Sequence, residues 1–226
     1  HISVLATLNV DLQANVDVTT AGNGTIDIDA ATGTFSMSTS ATLGTVNGDI
    51  RVTAGDDVLD QIVVGDVTAG NANVSLETSG SVLDADDDTT NTDSDNDVTA
   101  LGLRISAGKG VGLLNGNSLV KDVNALETSV DTLSVLVSGS DGINILEADG
   151  VAVDDVKSPL DATMSATVER VNVNATTTTQ TEAIQSDVVT TNANGANGSI
   201  VLRSQSGDIS LRDGTAPNND NATTTG

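Results

Sequence analysis

Seven aspartates fall between positions 84 and 97, in the run Asp-Ala-Asp-Asp-Asp-Thr-Thr-Asn-Thr-Asp-Ser-Asp-Asn-Asp. Asp84, Asp86 and Asp88 alternate with other residues, and so do Asp93, Asp95 and Asp97. Carboxylates at alternate positions of a polar loop supply hard oxygen ligands, which is the chemistry of Ca²⁺. The run departs from the helical-hand calcium loop: Thr89 stands at the sixth position in place of Gly, and Asp95 at the twelfth in place of Glu. The Gly-Gly-x-Gly-x-Asp nonapeptide of calcium β-rolls is absent as well. Asp84, Asp86, Asp88, Asp93, Asp95 and Asp97 therefore predict a weak Ca²⁺ loop. The competing reading is a solvated acidic loop.

Catalysis finds less support. The one histidine is His1, at a terminus, which leaves no triad, histidine base or histidine metal site in the given sequence. Asp56-Asp57 and Asp154-Asp155 could pair for acid–base work on a glycosidic bond. Among 32 acids, however, adjacent pairs arise by chance. A sugar cleft also needs aromatic platforms, and Phe35 is the only aromatic. The bases Arg51, Arg104, Lys109, Lys121, Lys157, Arg170, Arg203 and Arg212 are scattered along the chain. The sequence reads as non-catalytic, with a polysaccharide-binding or polysaccharide-cleaving protein (a lyase or tail-spike-like hydrolase) as the alternative.

The net charge is −24, from 32 acids against 8 bases. It repels phosphates and anionic surfaces, so neither nucleic acid nor membrane insertion is expected. In the given sequence no apolar run approaches the length of a membrane span, no signal-peptide pattern is read and there is no cysteine. The chain begins inside a strand pattern without an initiator Met, which reads as a fragment or processed piece. Asn-x-Ser/Thr triplets start at Asn23, Asn73, Asn174, Asn197 and Asn221, as expected by chance in so Asn- and Thr-rich a chain.

The elements that would position these groups are set by a repeat. Asn47-Gly48-Asp49-Ile50-Arg51-Val52 has counterparts 24 residues upstream, at Asn23-Gly24-Thr25-Ile26-Asp27-Ile28, and 24 downstream, at Asn71-Ala72-Asn73-Val74-Ser75-Leu76. Ile2, Ile26, Ile50 and Val74 thus form one apolar column, and Val4, Ile28, Val52 and Leu76 a second. The alternation is that of strands with one buried face, and a fixed period of this length means stacked units. A second cluster follows in each copy, at Leu8-Val10-Leu12, Phe35-Met37, Val58-Leu59 and Val82-Leu83. A third follows at Val16-Val18, Leu43-Val46 and Ile62-Val64-Val67. The Asn-Gly steps suit corners that need positive φ, and stacked Asn could form an amide ladder.

These observations predict an all-β, right-handed parallel β-helix, a solenoid of about 24–30 residues and three short strands per coil. Eight coils follow, in one domain spanning 1–213, with loop insertions near 84–100 and 154–167. Val168, Val171 and Val173 resume a strand, and residues 214–226 read as a polar tail or a continuation. Only 119–132 has any helical character. A thin core of Val, Ile, Leu and Ala needs no aromatics, which favours the solenoid over a sandwich.

Two phrases carry a family resemblance: Gly48-Asp49-Ile50-Arg51-Val52-Thr53-Ala54-Gly55, and the stretch from Gly198-Ser199-Ile200-Val201-Leu202 to Gly207-Asp208-Ile209-Ser210-Leu211. They are similar to the Gly-x-Ile-x-Leu repeats of filamentous-haemagglutinin-like adhesins, most clearly over 1–83 and 198–212. The resemblance implies a right-handed β-helix, secretion to the cell surface or extracellular space, and a role in adhesion or as a stalk. Its partners would be neighbouring repeats or stacked copies, and host or matrix glycans. Its motifs specify fold far better than ligand, and no binding residue transfers.

Overall fold

The computed structural model describes residues 1–86, 95–114, 124–191, 198–214 and the strand Thr223–Thr225. Twenty strands join one large, nearly closed sheet, every pairing within it parallel, and two more form a separate antiparallel pair. No helix occurs among the described residues.

The strands come in three series. Ile2–Ala6, Ile26–Ala30, Ile50–Ala54 and Asn73–Thr78 open successive repeats. Val10–Leu12, Phe35–Met37, Ile62–Val64 and Val82–Asp84 form the second series. Asp17–Thr19, Thr42–Gly44 and Asp66–Thr68 form the third. Each strand pairs with its counterpart one repeat on, so the stack is solenoid-like. Ile2 faces Ile26, Ile26 faces Ile50, and Ile50 faces Val74. The column continues through Leu103, Leu133 and Val153 to Leu211.

From Ile26 to Val153 this column is wholly buried, and it packs with Phe35, Ile62, Leu43 and Val67 of the other series. Each such side chain contributes about 1.5–3 kcal/mol by leaving water. Because a column is filled by like residues on like, shortening one side chain leaves a gap between two rungs. Ile50→Val should therefore cost about 0.5–1.5 kcal/mol in urea unfolding. A neutral result would place Ile50 outside the core.

The corners are built differently from the sequence expectation. Positive φ belongs to Gly22 and Gly70, just before Asn23 and Asn71, while Val46 before Asn47 does not have it and neither does Gly24 or Gly48. Gly48 is needed for space, since a Cβ there would lie 2.0 Å from the Gly24 carbonyl oxygen. The Asn ladder is present in one step, with Asn71 Nδ2 donating to Asn47 Oδ1 at 3.1 Å. Val58 and Leu59 are exposed and do not belong to the second series; Ile62 and Val64 hold that place, buried. The reason is local. Asp60 accepts the Asp56 and Asp57 amides, and Asp57 accepts that of Leu59, which closes a turn around the apolar pair.

Beyond Asp84 the strands lengthen. Val98–Ala107 and Leu126–Val137 each run from the third series into the first, with Val98 on Val67 and Leu103 on Val74. The described part of the stretch read as helical, 124–132, enters the second of these strands; residues 119–123 lie outside the described residues. Gly142–Glu147 and Val151–Val153 follow. Val153 pairs with Leu133, and Val188–Thr190 then resumes on Val135–Val137. Residues 154–187 thus leave one strand position in mid-course and return to it.

That excursion is the largest departure from expectation. Met164–Val171, part of it read as loop and the rest as a coil strand, pairs antiparallel with Thr177–Ala183. Val173 lies in the turn, and the Thr run enters the second strand. The hairpin lies across the outer face of the first series. Its alternate residues meet one rung each: Asn73 Nδ2 donates to the Ser165 carbonyl, and the amides of Thr167, Glu169 and Val171 donate to Asp49, Thr25 and Ser3. Its side chains complete a charge network. Asp27, fully buried, accepts from Arg51 at 3.0 Å and Arg170 at 2.5 Å, while Glu182 accepts from Arg51 at 2.5 Å and lies 3.6 Å from Arg104.

Candidate metal centre

Asp84 ends the strand Val82–Asp84, Asp97 immediately precedes Val98–Ala107, and Glu127 is the second residue of Leu126–Val137. Because Val98 pairs with Thr128, Asp97 is set beside Glu127, and the Glu127 amide donates to Asp97 Oδ2 at 2.8 Å. One carboxylate oxygen from each of Asp84, Asp97 and Glu127 lies within 4.8 Å of the others. Asp97 and Glu127 are buried and Asp84 is half-buried.

The electrostatics follow from that burial. The Asp97 carboxyl is pushed up to about 11, first by burial and then by the charge of Asp84, with which it shares a hydrogen bond. A proton on Asp97 is one way to relieve the cluster, and a cation is the other. Ca²⁺–oxygen distances of roughly 2.3–2.6 Å place two ligands on opposite sides of an ion about 5 Å apart. The spacing of the three carboxylates fits that span, and an all-oxygen set suits Ca²⁺ or Mg²⁺ over Zn²⁺. A cavity of about 30 Å³ beside Asp84, lined also by Gly112 and Asn124, has room for at least one water. Both of those residues have positive φ.

Of the six aspartates named from the sequence, the fold brings Asp84 and Asp97 together. Asp86 and Asp95 line an adjoining polar cavity of about 390 Å³ with Asp97 and Asp66. Asp88 and Asp93 lie outside the described residues. Glu127 was missed, since an acid outside the acidic run carries no local signal and only the register delivers it.

The carboxylate pairs weighed for catalysis have other partners. Asp56 and Asp57 belong to the turn capped by Asp60. Asp154 pairs with Arg212 at 3.4 Å, and Asp155 with Lys157 at 2.9 Å. The scattered bases are partly gathered: Arg51, Arg104 and Arg170 all meet acids at the hairpin or the face beneath it. Among the acceptor triplets, Asn73 is buried, Asn23 and Asn174 are exposed, and Asn197 and Asn221 lie outside the described residues.

No protein-family model, no curated protein and no solved structure matches this chain.

Proposed function

We propose that this chain is a non-catalytic structural or adhesive segment of a large secreted surface protein or extracellular fibre. It is read as a right-handed parallel β-helix of eight coils, similar in its repeats to filamentous-haemagglutinin-like adhesins. The observation that carries the reading is the column from Ile2 to Leu211, in which like apolar residues stack rung on rung through parallel register. Such a stack is a stiff spacer whose outer residues are free to vary. A second reading, polysaccharide binding or cleavage, is favoured by one feature. A groove of about 520 Å³ crosses several rungs, lined by Thr53, Thr78 and Ser106 with the carboxylates of Asp29, Asp56 and Glu77. Incubation with a panel of acidic and neutral polysaccharides separates the two. The structural reading expects no product, and sustained product release overturns it.

The same proposal gives Asp84, Asp97 and Glu127 a Ca²⁺ ion that ties three separate segments together. A ligand at a hundredfold excess over its Kd stabilises by about 2.7 kcal/mol when only the folded state binds it. Ca²⁺ should therefore raise Tm above the value in Na⁺ at matched ionic strength. Asp84→Asn combined with Glu127→Gln should abolish most of that difference. Equal stabilisation by both ions would reduce the cluster to a screened acidic surface.

A further inference from the structure

The turn of the hairpin holds an asparagine set up to receive a sugar. We infer that Asn174 is an acceptor for N-glycosylation, taking its oligosaccharide from a lipid-linked glycosyl diphosphate. The inference rests on the secreted, surface reading, since N-linked sugars belong to exposed loops of secreted chains.

The five Asn-x-Ser/Thr triplets are alike as sequence, and the fold separates the three whose residues it describes throughout. Asn73 and Ser75 are each 1% exposed, and Asn73 Nδ2 is spent on the Ser165 carbonyl at 2.8 Å. Asn23 is exposed, but its Thr25 is 1% exposed. The Thr25 hydroxyl accepts from the Glu169 amide at 2.9 Å and lies 2.9 Å from His1 Nδ1. At Asn174-Ala175-Thr176 all three residues are exposed, in the turn between Met164–Val171 and Thr177–Ala183. Loops of this kind are where modifying enzymes reach a folded chain.

The turn presents the right end of the side chain. The Asn172 amide donates to the Thr176 carbonyl and the Ala175 amide to the Asn172 carbonyl, both at 2.9 Å. Ala175 takes a φ of 61°, which folds Thr176 back over Asn174. The Thr176 amide then donates to Asn174 Oδ1 at 3.2 Å, and the Thr176 hydroxyl donates to the same oxygen at 2.7 Å. A backbone amide can only donate, so the carboxamide oxygen is the end that faces it. Asn172 Nδ2 donates to the Thr176 hydroxyl at 3.1 Å, which leaves that hydroxyl's hydrogen for Asn174. Asn174 Nδ2 has no partner among the described residues.

That nitrogen is the nucleophile. Its electron pair forms a bond to the anomeric carbon of the donor sugar. The bond from that carbon to the diphosphate oxygen breaks, and its electrons leave with the diphosphate. The amide proton passes to a basic group of the transferring enzyme, and nothing is oxidised or reduced. As Nδ2 loses its proton, negative charge spreads onto Oδ1, where two donors already stand. The surroundings also admit the donor. A diphosphate is repelled by a chain of net charge −24, but residues 171–181 carry no charged side chain.

The test is to incubate the purified chain with a lipid-linked oligosaccharide and an oligosaccharyltransferase that reads the bare triplet. Glycopeptides are then mapped by mass spectrometry. The peptide carrying Asn174 should gain one oligosaccharide, and those carrying Asn23 and Asn73 should stay unmodified. Asn174→Gln should leave its peptide unmodified. Thr176→Ala should lower the yield about tenfold or more, because a site that hydrogen-bonds a hydroxyl rejects its absence. Thr176→Ser, which keeps the hydroxyl, should retain most of the yield. All three variants should unfold at the wild-type urea midpoint, since the turn is exposed. An unmodified Asn174 in the folded chain, or equal modification of Asn23 or Asn73, would overturn the inference. Donor and enzyme are supplied, so the outcome does not depend on where the chain resides. A chain modified at Asn174 here but found in the cytoplasm removes the surface reading and leaves the acceptor.

Discussion

Asp27→Ala should cost about 3–5 kcal/mol of unfolding free energy, the loss expected when one member of a buried ion network is removed. Asp27 has no exposed surface and accepts from two guanidinium groups, Arg51 Nη1 at 3.0 Å and Arg170 Nε at 2.5 Å. Removing it leaves two cations facing each other under the hairpin, with Glu182 and Asp29 as their remaining acid partners. The loss should be local at first. The amides of Thr167, Glu169 and Val171, held by side chains of the stack, should lose hydrogen-exchange protection before those of Ile50–Ala54. Replacing Asp27, Arg51, Arg170 and Glu182 together by apolar residues of similar volume should recover most of the stability, because no charge is then left unpaired. A cost below about 1 kcal/mol for Asp27→Ala would mean that the network behaves as a solvated surface pair.

The second large effect is a dependence on pH that resides in Glu147. Its column runs Leu43, Val67, Val98, Thr128, Glu147, so a carboxyl group takes a place that Leu43, Val67 and Val98 hold in the first rungs of the column. Burial pushes Glu147 up to about 7, against hydrogen bonds from Thr128 Oγ1 and the Val130 amide that favour its charge; Asp149 adds to the rise. The unfolded chain releases this proton near 4.5 and the folded chain near 7. The folded state therefore holds more protons between those values. The resulting stabilisation is complete below about 4.5 and is lost as pH rises through 7, an effect of about 3 kcal/mol. Burial also raises Asp49 and Asp187, which act in the same direction, so a variant is needed to isolate Glu147. The stability of wild type relative to Glu147→Gln should fall by about 3 kcal/mol between pH 4 and pH 8. A difference that does not change with pH would show that Glu147 is ionised in the fold throughout.

How far the sequence could be read is clear from the intervals. Ile2, Ile26, Ile50 and Val74 are 24 apart, and the same column then steps by 29 to Leu103 and by 30 to Leu133. The register persists while the loops between rungs change length, so periodicity fades where the architecture does not. Met164–Val171 defeated pattern reading for a related reason. A period of two is the signature of any half-buried strand, and it cannot tell a rung of the stack from a hairpin laid across it. What marks the hairpin is in the rungs beneath. Asp27, Asp49, Arg51 and Arg104 lie at outward positions and are nevertheless buried or nearly so, which requires something to cover them. The acidic run was legible as a carboxylate source, and its partner Glu127 was not, since their proximity depends on a pairing across 30 residues.

The stacked register itself is most directly measured by spin-label distances, for which a chain without cysteine is well suited. Leu5, Asp29, Thr53, Glu77, Ser106 and Leu136 form one outward column. With one label on Leu5→Cys and the second moved from Ser106→Cys to Leu136→Cys, the separation should rise from about 19 Å to about 24 Å, one rung of about 4.8 Å. Both distributions should be narrow. Broad distributions, or a step unrelated to the rung spacing, would contradict the stack.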